Sequence, residues 1–78
     1  MLVQREDFIR NNRANTKTKI RACNGSTEKL QELLKHERAL ATIYEDDGAH
    51  DTAYIIRTVN VPLIQAVMGL KESLKTSA

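Results

Sequence analysis

Residues 49–74 decide how this chain folds, and they read AHDTAYIIRTVNVPLIQAVMGLKESL. Within them, one set of positions recurs at alternating spacings of four and three residues. The set consists of Ala49, Ala53, Ile56, Asn60, Leu63, Val67, Leu70 and Leu74. This spacing places all eight side chains on one face of an α-helix, and seven of them are apolar. We call this set the seam, and it predicts a helix that buries one face.

The segment before Pro62 leaves a second interpretation open. Residues 52–61 are rich in β-branched and aromatic side chains, which favour strands. In that case Pro62 would open a separate final helix. We favour one helix that is kinked or broken near Pro62, because the seam crosses the proline without a change of register. A proline disfavours helical geometry in the residue before it, so the distortion should lie near residues 60–61.

Asn60 is the one polar member of the seam, and two interpretations apply to it. In a coiled coil, an asparagine at a core position lowers stability but fixes the register and the number of partners. The simpler interpretation is that Asn60 ends one helix or caps the next, because Pro62 follows so closely. We favour the simpler one, in which Asn60 does not face a core.

A second helix is predicted over residues 27–45. Ser26 or Thr27 can cap its first turn. No proline or glycine interrupts it before Gly48, which can adopt the positive φ that ends a helix. Its apolar positions are Leu30, Leu33, Leu34, Leu40, Ala41 and Tyr44, with Glu37 among them. Together with residues 49–75, this helix would form an antiparallel hairpin.

The N-terminal part of the chain is harder to assign. Residues 2–12 contain four large apolar side chains and fit a short helix, which would lie across the hairpin through Phe8 and Ile9. Residues 13–25 are mostly polar, and they fit either a linker or an edge strand over residues 17–23.

The predicted fold is all-α, a small helical hairpin or three-helix bundle. The alternative is an α+β fold with strands near residues 17–23 and 52–60. Seventy-eight residues make a single small domain, 1–78, and a domain of this size buries only about 60% of its unfolded surface. Cys23 is the single cysteine, so no disulfide adds stability. We therefore expect good helix packing or a partner chain, and a homo-oligomer would complete the core.

Charge is unevenly distributed along the chain, although the net charge is only +2. Residues 1–23 form a basic N-terminal arm with six basic side chains against two acidic ones. The basic residues are Arg5, Arg10, Arg13, Lys17, Lys19 and Arg21. An acidic patch at the predicted turn consists of Glu45, Asp46, Asp47 and Asp51. Each group can attract an oppositely charged partner, although charge runs are most often solvated faces.

Few residues are candidates for catalysis. Cys23, His36 and His50 are the only candidates for nucleophile and base, and a turn sequence follows the cysteine. The three glycines are isolated, so the sequence contains no glycine-rich phosphate loop. Neither the acidic patch nor the pair Glu32 and His36 matches EF-hand or zinc spacing. We expect no enzyme activity, no small-molecule substrate, no cofactor and no metal site.

Binding functions fit the sequence better. Small size, a helical seam and separated charges favour a protein-binding module of the accessory, adaptor or inhibitor type. Its interface or core seam would consist of Ile56, Asn60, Leu63, Val67, Leu70 and Leu74. The alternative is nucleic-acid binding through residues 5–21, because lysine and arginine neutralise phosphates and asparagine can pair with adenine. A lone cysteine, with no leader and no apolar run of about 20 residues, predicts a soluble cytoplasmic protein without membrane association.

Overall fold

Three helical rods make up the fold in the computed structural model, which describes the backbone of residues 2–77 and the side chains of residues 6–70. The first two rods are α1 (Leu2–Ala22) and α2 (Thr27–Asp46). The third rod, which we call the long helix, consists of α3 (His50–Ile55), a π-helical turn (Ile56–Asn60) and α4 (Val61–Ser77). The all-α prediction is confirmed. No strand occurs in the described backbone, so the α+β alternative is wrong.

The predicted antiparallel hairpin is formed by α2 and the long helix. α2 contacts all three parts of the long helix, and α1 packs mainly against the π turn and α4. The core cluster consists of Ala41, Ile56 and Val61, with Leu34 and Leu40 packed against it. Leu30 and Ile64 are almost completely buried as well. The result is a flat molecule of 47 × 26 × 18 Å.

α1 continues to Ala22, so the prediction of a linker or edge strand within residues 13–25 is wrong. Two of the polar side chains in this segment form hydrogen bonds with carbonyl groups one turn earlier in the same helix. The hydroxyls of Thr16 and Thr18 each donate to the carbonyl oxygen four residues before them, at 2.7 and 3.1 Å. The helix therefore accommodates these polar residues and is not interrupted by them.

α1 packs on the other rods around Thr16, which is the most deeply buried of its described side chains. Phe8 is 41% exposed and Ile9 is half-buried, so the predicted contact through these two residues is only partial. The inward stripe consists of Ile9, Asn12, Thr16 and Ile20 on α1, together with Cys23 directly after it. Most of these side chains are small or polar, and hydrophobic stabilisation scales with the apolar area removed from water. Burial of apolar area therefore holds α1 less strongly than it holds the hairpin.

α2 begins and ends within one residue of the prediction. Ser26 is its N-cap, and the Ser26 hydroxyl accepts a hydrogen bond from the Lys29 backbone N–H at 3.3 Å. Gly48 follows the last turn with a φ of +86°, a conformation that glycine adopts without steric strain. The backbone N–H of Ala49 then donates to the Tyr44 carbonyl at 2.8 Å, which closes the turn into α3.

The distortion predicted near Pro62 takes the form of a π turn, and the helix is not broken. The backbone N–H of Val61 donates to the carbonyl of Ile56, five residues earlier, whereas an α-helix bonds four residues back. Pro62 has no N–H, and in a regular helix its ring would clash with the carbonyl four residues earlier. The wider turn relieves this conflict. It also contains one more residue than an α-helical turn, so it rotates α4 relative to the seam.

The seam consequently leaves the core after Asn60. Its later positions become more exposed along α4, because Leu63 and Val67 are half-buried and Leu70 is 66% exposed. Ile64, which is not a seam position, is completely buried. The seam therefore lies in the core from Ala53 to Asn60, and its described positions beyond Asn60 lie at the edge of the core or on the surface.

Candidate functional surfaces

A polar cluster lies in the centre of the fold, where all three rods meet. The side-chain amide Nδ2 of Asn60 donates to Glu37 Oε1 on α2 at 2.9 Å and to Asn12 Oδ1 on α1 at 3.4 Å. Asn12 Nδ2 in turn donates to the carbonyl of Phe8 at 3.0 Å. Asn60 is only 4% exposed, so the interpretation in which it does not face a core is wrong. The π turn directs Asn60 into the core of its own chain.

Glu37 is the charged member of this cluster, and it is only 1% exposed. Its Oε2 lies 3.7 Å from Nζ of Lys19, whose side chain is half-exposed. Among the described residues, neither this Oε2 nor Asn60 Oδ1 has a hydrogen-bond partner. A carboxylate without compensating contacts is strongly unfavourable in a core. The Asn60 amide and the Lys19 ammonium are the groups that make this position tolerable for Glu37.

The cluster was not foreseen from the sequence, although one signal pointed to it. Glu37 falls within the four-three spacing of the apolar positions of α2, where a core residue is expected. Each contact in the cluster forms only when the two rods that it joins have one particular alignment along their axes. The cluster therefore fixes how the three rods are aligned, and we assign it a positioning role.

Four of the six basic residues predicted for an interface line one side of α1, which we call the basic flank. The basic flank consists of Arg10, Arg13, Lys17 and Arg21. All four are exposed, and spacings of three, four and four residues place them on one side of the helix over roughly 16 Å. Lys19 points toward Glu37 instead, and the side chain of Arg5 lies outside the described residues.

The seam residues predicted as an interface divide between core and surface. Ile56 and Asn60 are buried within the fold and are not available to a partner. Leu63, Val67 and Leu70 form an edge of α4 that grows more exposed along the helix, and we call it the open seam. The next seam position, Leu74, lies outside the described side chains.

The acidic patch contains a small ion-pair cluster at the turn between α2 and α3. Glu45 Oε1 accepts a hydrogen bond from Arg57 at 2.7 Å, and Glu45 Oε2 contacts Nδ1 of His50. The contact with His50, followed by that with Arg57, holds the pKa of Glu45 below its usual range. With Asp51 and Tyr54, these side chains line a shallow hollow of about 400 Å³. Glu45 is thus paired within the chain, while the rest of the acidic patch is exposed.

The candidates for catalysis lie far apart. Cys23 is buried, and its thiol donates to the Lys19 carbonyl at 3.4 Å. His50 lies beyond the opposite end of α2, which at its helical rise is roughly 30 Å long, and His36 is exposed on α2. In the part of the chain that the structure describes, no three His, Cys, Asp or Glu side chains form a group that could hold a metal ion.

One helical segment is more apolar than we expected in the sequence analysis. By length and composition alone, His50–Leu70 could cross a membrane: its most apolar 18-residue window has a mean hydropathy of 1.3, and 33% of that window is buried in the fold. This differs from the expectation that no such run exists. Core helices of soluble proteins pass the same test, and this segment contributes Asn60 and Ile64 to the core. Cytoplasmic location stays a prediction.

Comparison with known proteins adds no family to this description. No family model, no curated protein and no solved structure matches the chain. Function is therefore inferred from the three exposed surfaces, namely the open seam, the basic flank and the acidic patch.

Proposed function

We propose that this chain is a small, non-enzymatic protein-binding module that docks the open seam on a second copy of itself. One observation carries the proposal. Leu70 is 66% exposed and is the most exposed of the large apolar side chains in the described residues. It continues a line of half-buried apolar residues, so it is not an isolated surface leucine.

The length of the long helix supports this assignment. At 1.5 Å per residue, the rod from His50 to Ser77 is roughly 42 Å long, whereas α2 is roughly 30 Å long. The two rods meet at the turn around Gly48, where α2 ends and the long helix begins. Because the long helix is the longer of the two antiparallel rods, its C-terminal end projects beyond the first residue of α2. In the described backbone, α2 is too short to lie alongside this projecting part.

The chemistry of the open seam suits a second copy. Residues 62–70 contain no charged side chain, so no like-charge repulsion opposes pairing of two identical edges. Leu63, Val67 and Leu70 follow the four-three spacing by which helices pair in coiled coils, and Leu74 extends that spacing in the sequence. Two copies related by a two-fold axis would place the same edge against itself, which yields a closed dimer.

The test is the molar mass of the intact chain, measured by size-exclusion chromatography with light scattering. We expect twice the chain mass of 8.8 kDa. Leu70→Asp should give the monomer mass with an unchanged helical circular-dichroism spectrum, because Leu70 contributes little to the core. Ile43→Asp is the matched control, since Ile43 is 60% exposed on α2 and is not part of the seam.

Two results would overturn the proposal. One is a wild-type chain that is monomeric at every concentration, which would leave the exposed acidic patch and a foreign, basic protein partner as the leading hypothesis. The other is a Leu70→Asp variant that stays dimeric. Equal dissociation by Leu70→Asp and Ile43→Asp would show general destabilisation, and it would also count against the open seam as the interface.

We propose nucleic-acid binding through the basic flank as the alternative function. It is favoured by a separate observation, the alignment of four exposed cations on one side of a regular helix. Among the described residues, the flank has one ion pair within the chain, between Arg10 and Asp7 at 3.8 Å, and both side chains are exposed. Exposed pairs of this kind are weak, so phosphates can compete for Arg10.

Fluorescence anisotropy with a labelled duplex tests this alternative. We expect binding that weakens with salt, with a slope of log K against log salt of about −3 to −4 if all four cations meet phosphates. Arg10→Glu with Arg13→Glu should abolish it. Lys35→Glu with Arg38→Glu is the control, because these exposed residues on α2 have the same spacing and the same change of charge. Equal loss in both double variants would contradict a specific site.

A further inference from the structure

We infer that the outward face of α1 recognises A·T base pairs in the major groove of duplex DNA. The inference rests on the nucleic-acid function proposed for the basic flank, and it assigns the residues that would touch the bases. Between residues 11 and 18, the outward face consists of Asn11, Ala14, Asn15 and Thr18. All four side chains are exposed, and their spacing places them together on the side of α1 that faces away from the other rods.

The asparagines of α1 divide into two kinds. Asn12 faces inward, and both ends of its amide are hydrogen-bonded within the chain, to Phe8 and Asn60. Asn11 and Asn15 are exposed one helical turn apart, and their amides have no hydrogen-bond partner among the described residues. An asparagine amide can pair with both N6 and N7 of adenine, which are displayed in the major groove. Two free amides on one face can therefore contact neighbouring adenines.

The side chains beside these asparagines suit the same ligand. Ala14 and Thr18 are small, so the helix backbone can approach the base edges closely. The Thr18 hydroxyl donates to the Ala14 carbonyl at 3.1 Å, which occupies its proton within the helix. Alanine and the threonine methyl group are typical contacts of the thymine methyl group. The outward face thus offers groups for both partners of an A·T pair.

The basic flank lies where phosphate contacts would be needed. At about 100° per residue, its four cations lie roughly a quarter turn around α1 from the outward face. A helix in the major groove contacts bases with one face and the phosphates at the groove edge with an adjacent one. The major groove of an RNA duplex is too deep and narrow for this arrangement, so DNA is the expected ligand.

The experiment compares two DNA duplexes of about two helical turns by fluorescence anisotropy, one with an A·T core and one with a G·C core. We expect the intact protein to prefer the A·T core by about tenfold or more. Asn11→Ala with Asn15→Ala should remove that preference and leave the salt dependence unchanged. Thr27→Ala with Lys29→Ala, a double change at the start of α2, is the control and should keep the preference.

The outcomes separate the inference from the function on which it rests. Salt-dependent binding with no preference between the two duplexes would overturn the inferred contacts with A·T base pairs, and it would leave the proposed phosphate binding intact. No binding to either duplex at about 50 mM salt would overturn both. Equal binding to double-stranded RNA or to poly-glutamate would show a general attraction to polyanions, and it would likewise overturn the inference. Circular dichroism of each variant confirms that α1 remains helical.

Discussion

Asn60 Nδ2 lies 2.9 Å from Glu37 Oε1, so a buried carboxylate on α2 receives its hydrogen bond from the π turn of the long helix. Each residue is the polar exception within an otherwise apolar line of its own helix. Because the two exceptions meet, the polar groups partly satisfy one another inside the fold. A polar residue at a core position of one helix is thus explained by a polar residue on the helix packed against it.

The first prediction concerns this pair. Asn60→Ala should lower the free energy of unfolding by about 1–3 kcal/mol, because Glu37 would remain buried without its donor. Asn15→Ala, at an exposed position of α1, should change it by no more than about 0.5 kcal/mol. Urea denaturation followed by circular dichroism measures both values.

The same pair permits a sharper control. The double variant Glu37→Leu with Asn60→Leu keeps neither polar partner. Its loss of unfolding free energy should be smaller than the sum of the losses in the single variants Glu37→Leu and Asn60→Leu. Additive losses would show that the two side chains do not interact as the 2.9 Å distance implies.

The second prediction concerns the rotation of α4 by the π turn. Ile64→Ala should lower the free energy of unfolding by about 2–5 kcal/mol, because it removes a completely buried side chain. Leu70→Ala, in the same helix, should have an effect below about 0.5 kcal/mol on the monomer. A reversed order, measured by thermal or urea denaturation, would place α4 in the unbroken register of the seam.

The third prediction concerns acid. The pKa of Glu45 is lowered by His50 and Arg57, so its pairing stabilises the fold above the ordinary carboxyl pKa. That contribution is lost as the pH falls through the lowered pKa. Urea denaturation from about pH 7 to about pH 3 should show Glu45→Gln less stable than the wild type at neutral pH, with the difference vanishing in acid. Glu32→Gln, another carboxylate on α2 that is exposed, should show no such trend.

The fourth prediction uses two glycines that differ in backbone conformation. A Cβ at Gly48 or at Gly69 would meet nothing within 4 Å, so space does not distinguish them. Gly48 has a φ of +86°, and Gly48→Ala should therefore destabilise the chain by about 1–2 kcal/mol. Gly69 lies within α4, and Gly69→Ala should stabilise it by about 0.5–1 kcal/mol. Thermal denaturation should show opposite shifts in the midpoint.

The hairpin was predictable because its signals are local and agree with one another. Ser26 caps α2, Gly48 ends it, and the apolar spacing on both helices identifies the faces that pack. α1 was not predictable over its full length from apolar spacing, because its inward stripe carries Asn12 and Thr16 where large apolar residues are expected. The helical spacing of the buried positions in α1 becomes visible only when polar residues are also allowed at core positions.

The surfaces were predictable as groups of residues but not as geometry. The sequence placed Arg10 and Lys19 in one basic arm, whereas the structure places Arg10 on the flank of α1 and Lys19 beside Glu37. That division depends on which side of a helix each residue occupies, and the predicted helix ended at residue 12, before Lys19. The exposure of Leu70 likewise depends on the π turn, which shifts the register by an amount that the apolar pattern does not reveal.

The π turn also determines which changes in chain length this protein can tolerate. Inserting one residue among positions 56–60 would rotate α4 by about 100° relative to α2, whereas deleting one would convert the π turn into a regular α-helical turn and keep the orientation of α4. After the insertion, Ile64 would leave the interior and the open seam would enter it, even if every side chain were otherwise kept. The segment therefore tolerates the loss of one residue better than the gain of one, although both change the length of the chain equally.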